Sequence, residues 1–219
     1  MQATTTQFLT SARIQQVDLQ VSRSKFDREL ADFIQAQTYH KQRGIVLLGA
    51  SFPFIQLAFY AYRARPILLA FTVQLDFTNY DVEPPSLRFI DFLTGNELTQ
   101  PALNIEFTRY QKIIQPNGVT AFQPLMNLIQ SHQPDQIPFV CIPGLYEYHQ
   151  HPAHSDDPWL LRRDSGEGRL GFIIDQLHTY GTEAIHGIIP QLFSMRPVNP
   201  PGMLIHFQGV TFLKDKTPL

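Results

Sequence analysis

The spacing of apolar and polar residues changes period along the chain, and each change predicts a change of element. Phe26, Leu30, Phe33 and Ile34 recur at helical spacing, Ser24 stands where an N-cap belongs and Asp27 lies in the first turn, which predicts a helix over about 24–40. Upstream, Val17, Leu19 and Val21 give only a short period-two alternation in a mostly polar opening segment. From Gly44 the period becomes two, with strands expected over 44–50, 54–62, 66–77 and 86–92. The third is the clearest, because Leu69, Phe71, Val73, Leu75 and Phe77 alternate with Ala70, Thr72, Gln74 and Asp76. One of its faces is expected in the core and the other outside it. A helix followed by consecutive strands predicts an antiparallel meander with the helix packed on it, an α+β arrangement.

The middle of the chain is irregular. Residues 99–140 hold six prolines and glycines, and the pattern suggests strands at 105–110 and 111–114, a turn at Asn117-Gly118 and a short helix at 125–130. Leu170, Ile173, Ile174 and Leu177 then share one helical face over 169–180, with Gly181 as a stop. The remainder, with Pro197, Pro200 and Pro201, is expected to wrap the surface before a last strand near 204–212. No repeat or linker divides the chain, so a single domain is expected over 1–219, with a core at about 24–181 and a proline-rich extension over 182–219.

Composition narrows the function classes. With 219 residues, 43% hydrophobic and 16% charged, the chain can bury a core and is not of disordered type. A formal net charge of −2 gives no global field to gather nucleic acid or an anionic membrane surface, so neither is expected as a partner. The longest apolar runs, 44–50 and 67–71, are too short to span a bilayer, and residues 1–10 lack an apolar signal core. A cytoplasmic location is the expectation. The single cysteine, Cys141, cannot close an intramolecular disulfide, which agrees with a reducing compartment.

Candidate chemistry gathers after that cysteine. Cys141, Glu147, His149, His151 and His154 lie within fourteen residues, at spacings of 6, 2, 2 and 3. Zinc accepts such mixed sulfur, nitrogen and oxygen sets, and in an extended segment Glu147, His149 and His151 point to one face, so these five residues are candidate metal ligands. The same residues also suit a nucleophile. A thiol attacks as thiolate, and nearby imidazoles such as His149 and His151 can activate it and relay protons. A metal-bound sulfur is a poor acyl acceptor, so the two readings compete for one atom. A third reading makes Cys141 a small core hydrophobe and the histidines polar surface.

Other features carry less. Asp164-Ser165-Gly166-Glu167-Gly168 lacks the lysine and preceding strand of a phosphate loop. Arg162 and Arg163 read as a solvated pair, His178 and His186 as ordinary histidines, and the aromatic run 54–62 as core, since few basic residues interleave with it.

The stretch Tyr80-Asp81-Val82-Glu83-Pro84-Pro85-Ser86-Leu87-Arg88-Phe89, reached from a long strand, resembles the ubiquitin-conjugating enzyme fold: a tyrosine, a double proline and an aromatic-bearing fourth strand. Cys141, Trp159 and the helix at 169–180 follow in that family's order of flap cysteine, tryptophan and underlying helix. The segment from Cys141 through Glu147, His149, His151 and His154 to Trp159 is also similar to a bacterial family named for a Cys, Glu, His, His signature, predicted to bind metal and associated with ubiquitin-like conjugation. The resemblance implies a carrier that accepts a ubiquitin-like protein from an activating enzyme on Cys141 and passes it to a protein substrate. Alternatively, it implies a binding module of the same fold holding a structural zinc. The His-Pro-Asn triplet of the conjugating enzymes is missing before the cysteine; the nearest match is Gln115-Pro116-Asn117, which makes Asn117 the candidate oxyanion donor.

Overall fold

A computed structural model of the chain describes residues 8–9, 13–133, 135–198 and 202–215. Helix α1 (Leu19–Gln35) begins earlier than the spacing predicts, because Asp18 rather than Ser24 caps it. The Asp18 carboxylate accepts hydrogen bonds from the amides of Gln20 and Val21 at 2.9 and 3.1 Å, satisfying two donors that the first turn leaves free. The alternation at Val17–Val21 is absorbed into this start. The buried face of α1 carries Ser22, Phe26, Glu29 and Phe33, whereas Ile34 faces solvent. A break at Ala36 separates α1 from the short α2 (Gln37–Gln42).

Strands β1 (Ile45–Ser51), β2 (Phe54–Tyr60), β3 (Leu69–Asp76) and β4 (Ser86–Phe89) form one antiparallel sheet in the order β1-β2-β3-β4. Leu57 pairs with Val73, and Val73 with Phe89, so the register lays an apolar row across the sheet. Those side chains join Phe26 and Phe33 of α1 and Leu170, Ile173, Ile174 and Leu177 of α5 (Leu170–His178) in one core. Burial of each such large side chain contributes about 1.5–3 kcal/mol. The α+β expectation and the helix-on-meander packing therefore hold.

The second face of β3 departs from expectation. Thr72, Gln74 and Asp76 are buried too, and the N-terminal arm bonds the last two. The Gln74 side chain accepts from the Leu9 amide at 2.9 Å and donates to the Leu9 carbonyl at 3.1 Å, and Arg13 donates to the carbonyls of Asp76 and Pro84 at 2.5 and 3.0 Å. Gln74 and Asp76 on this face are hydrogen-bonded rather than solvated, whereas the buried Thr72 hydroxyl finds no partner among the described residues. Apart from Phe8 and Leu9, the polar segment 1–10 lies outside the described residues.

Beyond the sheet, β5 (Thr108–Ile114) and β6 (Thr120–Asn127) form a hairpin around the Asn117-Gly118 turn, where Gly118 has φ +77°. The two expected strands at 105–114 are one, and the expected helix at 125–130 is absent. Its residues instead pair as strand, Met126 with Arg109 and Asn127 with Thr108, after which β7 (Ile129–Gln130) meets β8 (Phe139–Val140). Backbone pairing with β5 overrides the weak local helical signal. Downstream, α5 does not stop at Gly181 but continues through a wider turn over Thr179–Glu183. The proline-rich tail forms a hairpin of β9 (Ile185–Val198) and β10 (Gly202–Lys214), not a surface wrap with one strand. Pro200 and Pro201 lie outside the described residues. No described helix is long and apolar enough to cross a membrane.

A buried carboxylate ties the two main helices to the sheet corner. Glu29, 3% exposed, accepts from the Tyr80 hydroxyl at 3.2 Å and from the Leu170 amide at 3.1 Å, so it caps α5 from α1. Burial, then the Glu29 charge, pushes the Tyr80 hydroxyl well above its ordinary range and keeps it a donor. Glu29→Ala strands both donors, and we expect it to lower unfolding free energy by about 2–4 kcal/mol in a denaturant melt. A loss no larger than that of an exposed substitution such as Asp27→Ala would contradict this.

Candidate functional site

Cys141 follows β8, and its amide donates to the Leu128 carbonyl at 2.7 Å. The next residues turn back to the sheet. The Tyr146 amide donates to the Pro85 carbonyl at 2.8 Å, which docks the start of α3 (Tyr146–Gln150) on the double-proline corner. A second strap comes from Trp159, at the start of α4 (Trp159–Arg162), whose indole N–H donates to the Asp81 carbonyl at 2.9 Å.

Two glycines permit the close packing around this loop. Gly144 has φ +87°, and a Cβ there would lie 2.1 Å from the Glu167 carbonyl oxygen. At Gly168 a Cβ would meet the Trp159 ring at 2.0 Å. Gly144 admits no side chain without backbone movement, and Gly168 none without displacing the Trp159 ring.

The sequence-predicted residues separate into two groups. Cys141 and His154 come together, with Sγ 3.3 Å from Nε2. His154 sits on a 3₁₀ turn (Pro152–His154), and its ring stacks on Tyr148 with centroids 3.9 Å apart and planes inclined by 17°. His151 lies next to it, its ring 5.8 Å from that of His154 and stacked on His132 at 5.7 Å, while its Nδ1 accepts from the Ala153 amide. His154, rather than His149 or His151, is therefore the imidazole in contact with the thiol.

Glu147 and His149 are committed elsewhere. The Glu147 carboxylate accepts from Ser86 Oγ, from the Leu87 amide at 3.3 Å and from Arg88 at 2.5 Å, which pins α3 to β4. His149 accepts from the Gly144 amide through Nε2 at 3.2 Å, so its Nδ1 is the donor to the Asp157 carbonyl, at 2.8 Å. Burial lowers the His149 pKa and favours this neutral, doubly bonded ring. The five-donor shell expected from the spacing is not assembled, and the described residues hold no group of three or more His, Cys, Asp or Glu side chains arranged for a metal. The helical turn over 146–150 is the reason: Glu147, His149 and His151 share a face only in an extended segment, and the helical turn separates them. Cys141 and His154 alone do not make a zinc site of ordinary coordination.

Asn117 is also elsewhere. Its side chain accepts from the Val119 amide at the tip of the β5–β6 hairpin. The eight residues of β6 separate it from Leu128, on the order of 25 Å of extended chain, so the oxyanion role does not fall to it.

Burial and charge set the character of the pair. Cys141 is 8% exposed, more enclosed than a surface groove, and burial pushes its thiol pKa up. The surroundings supply a polar frame that the sequence reading missed. The Tyr148 hydroxyl donates to Asp157 at 3.0 Å, and Arg162 bonds both Asp157, at 2.7 Å, and Glu167, at 2.9 Å. The Arg162 hydrogen bond holds the Asp157 carboxyl below the usual range. Burial and then the bond to Asp157 push Tyr148 up to about 12, so its hydroxyl stays a donor. The solvated-pair reading therefore fails for Arg162. Of the remaining histidines, His178 is buried beside Arg43, with burial lowering its pKa to about 4, and His186 is exposed.

Residues 17–185 match the model of the Y4jH-like family, described as the Y4jH family. The chain is also 37% identical over 180 residues to the uncharacterized protein y4jH of Sinorhizobium fredii (strain NBRC 101917 / NGR234), an alignment covering 77% of this chain and 86% of that protein. The chain belongs to the Y4jH-like family. The matched span runs from the residue before the α1 cap to the first residue of β9 and includes the whole loop from Cys141 to Trp159.

Because the Glu147 carboxylate bonds Ser86, the Leu87 amide and Arg88, Glu147→Ala should destabilise the protein by about 2–4 kcal/mol. A strong chelator should leave the melting temperature of the unaltered protein unchanged. A chelator-induced drop in that temperature would contradict the assignment of these donors.

Proposed function

We propose that this member of the Y4jH-like family is a cysteine acyl carrier of the ubiquitin-conjugating type, with Cys141 as nucleophile and His154 as its proton acceptor and donor. The observation that carries the reading is the 3.3 Å contact between Cys141 Sγ and His154 Nε2. A buried thiol alone is a poor nucleophile, because burial opposes the thiolate. An imidazole within hydrogen-bond reach removes that obstacle by taking the proton as the sulfur attacks. The helix-on-meander packing, the double-proline corner and the tryptophan strap support the ubiquitin-conjugating-like plan over another α+β arrangement.

On this reading the partners are a ubiquitin-like protein, an activating enzyme and a protein substrate. The modifier arrives with its C-terminal carbonyl as a thioester on the activating enzyme. Cys141 Sγ bonds the carbonyl carbon, the bond to the donor sulfur breaks, and the departing thiolate receives the proton that His154 removed from Cys141. In the second half a substrate amine attacks the new thioester. The carbon–nitrogen bond forms, the bond to Cys141 breaks, and the amine proton returns to Sγ through His154. Pro152, Ala153, Ser155 and Asp156, which flank His154, are exposed, and on this reading movement of their turn admits a bulky donor to the sulfur.

The test is reconstitution with modifier, activating enzyme and nucleotide. The unaltered protein should form a reductant-sensitive adduct, Cys141→Ser a more stable oxyester or none, and Cys141→Ala none. His154→Gln should slow loading by about 100-fold or more. An adduct that persists in Cys141→Ala would remove Cys141 from the mechanism.

A further inference from the structure

We infer that Tyr148 is a positioning residue that acts on Cys141 through His154, holding the imidazole ring against the sulfur and stabilising the imidazolium formed when it takes the thiol proton. This rests on the Cys141–His154 reading above and extends it to a residue whose hydroxyl is bonded to Asp157, not to the sulfur.

Three observations meet at this side chain. The phenol ring lies almost parallel to the His154 ring at 3.9 Å, closer than any other aromatic contact of that histidine among the described residues, the next being His151 at 5.8 Å. Its hydroxyl is tethered to Asp157, so the ring cannot swing away without breaking that bond. Asp157 is in turn fixed by Arg162, which is braced on Glu167. The chain of contacts thus runs from a charged anchor through a rigid aromatic plate to the imidazole that meets Sγ.

Stacking does more than restrict rotation. An aromatic face attracts a cation, and a phenol that donates its proton toward a carboxylate is richer in electrons than a free one. The neutral imidazole gains little from this, whereas the imidazolium formed beside a thiolate gains more. The device opposes the penalty that burial places on the thiolate. His149, which meets Tyr148 edge-on at 5.0 Å, is held by Gly144 and Asp157 and is not free to replace the plate.

The experiment measures the rate at which iodoacetamide alkylates Cys141 near neutral pH in the full chain, with melting temperatures taken alongside. Tyr148→Leu should slow alkylation about 3- to 30-fold, while Tyr148→Phe, which keeps the ring but loses the tether to Asp157, should slow it by a smaller factor. If Tyr148→Leu does not fold, Tyr148→Met, which fills similar space without a ring, carries the same expectation. The deciding comparison is in a His154→Gln background, where removal of the Tyr148 ring should have no further effect. An equal slowing there would make Tyr148 a structural residue only and overturn this inference. Slowing by His154→Gln but not by Tyr148→Leu would overturn it while leaving the proposed pair standing. An unchanged rate in His154→Gln would overturn both.

Discussion

Three consecutive residues after β3 carry the connections on which the rest of the molecule depends. Asn79 accepts from the amides of Gln16 and Val17, at 2.7 and 3.2 Å, and donates to the Ile14 carbonyl, fastening the N-terminal arm. Tyr80 reaches Glu29 and through it the start of α5. Asp81 receives Lys25 from α1 on its carboxylate and the Trp159 indole on its carbonyl. One corner therefore joins arm, helices, sheet and the loop that bears the cysteine. The prolines that follow stiffen its exit, since their fixed φ and missing donors restrict the chain as it enters β4.

The candidate site inherits its geometry from that corner. Pro85 offers a carbonyl to Tyr146, and Ser86, Leu87 and Arg88 hold Glu147, so α3 is fixed at its first turn. The far end of the loop is fixed by Trp159 against Asp81 and Gly168. Between the two anchors the chain has few options. It must turn within 146–158, and the turn it makes presents His154 to Cys141 with Tyr148 behind it. Residues that looked like metal ligands are in large part the scaffold that closes this loop.

Much of this was legible in the sequence. The helical stripe of α5, the alternation of β3 and the antiparallel meander follow from period alone, because those residues face one continuous core. The tyrosine and double-proline stretch marked the corner that does prove central. Other features were not legible, each for a physical reason. The polar face of β3 reads as solvated because nothing in its alternation reveals an arm that returns from more than sixty residues away. Glu29 lies on the buried side of α1 while Ile34 lies outside, the reverse of what hydrophobicity suggests, because a capping bond to Leu170 compensates the buried charge. At the site, Cys141 and His154 stood in the candidate set. Tyr148 and Asp157 did not, since a stack and a hydrogen bond across six and nine residues follow no period.

The central claim is that ionisation of Cys141 is coupled to His154. The most direct measurement is a pH titration of the thiolate by its ultraviolet absorbance, with the Cys141→Ala protein subtracted as background. Burial alone raises the pH at which the thiolate forms, and a proton-accepting imidazole beside it lowers that pH. The account predicts that the thiolate appears at lower pH in the unaltered protein than in His154→Gln. Superimposable titrations of the two proteins would contradict it.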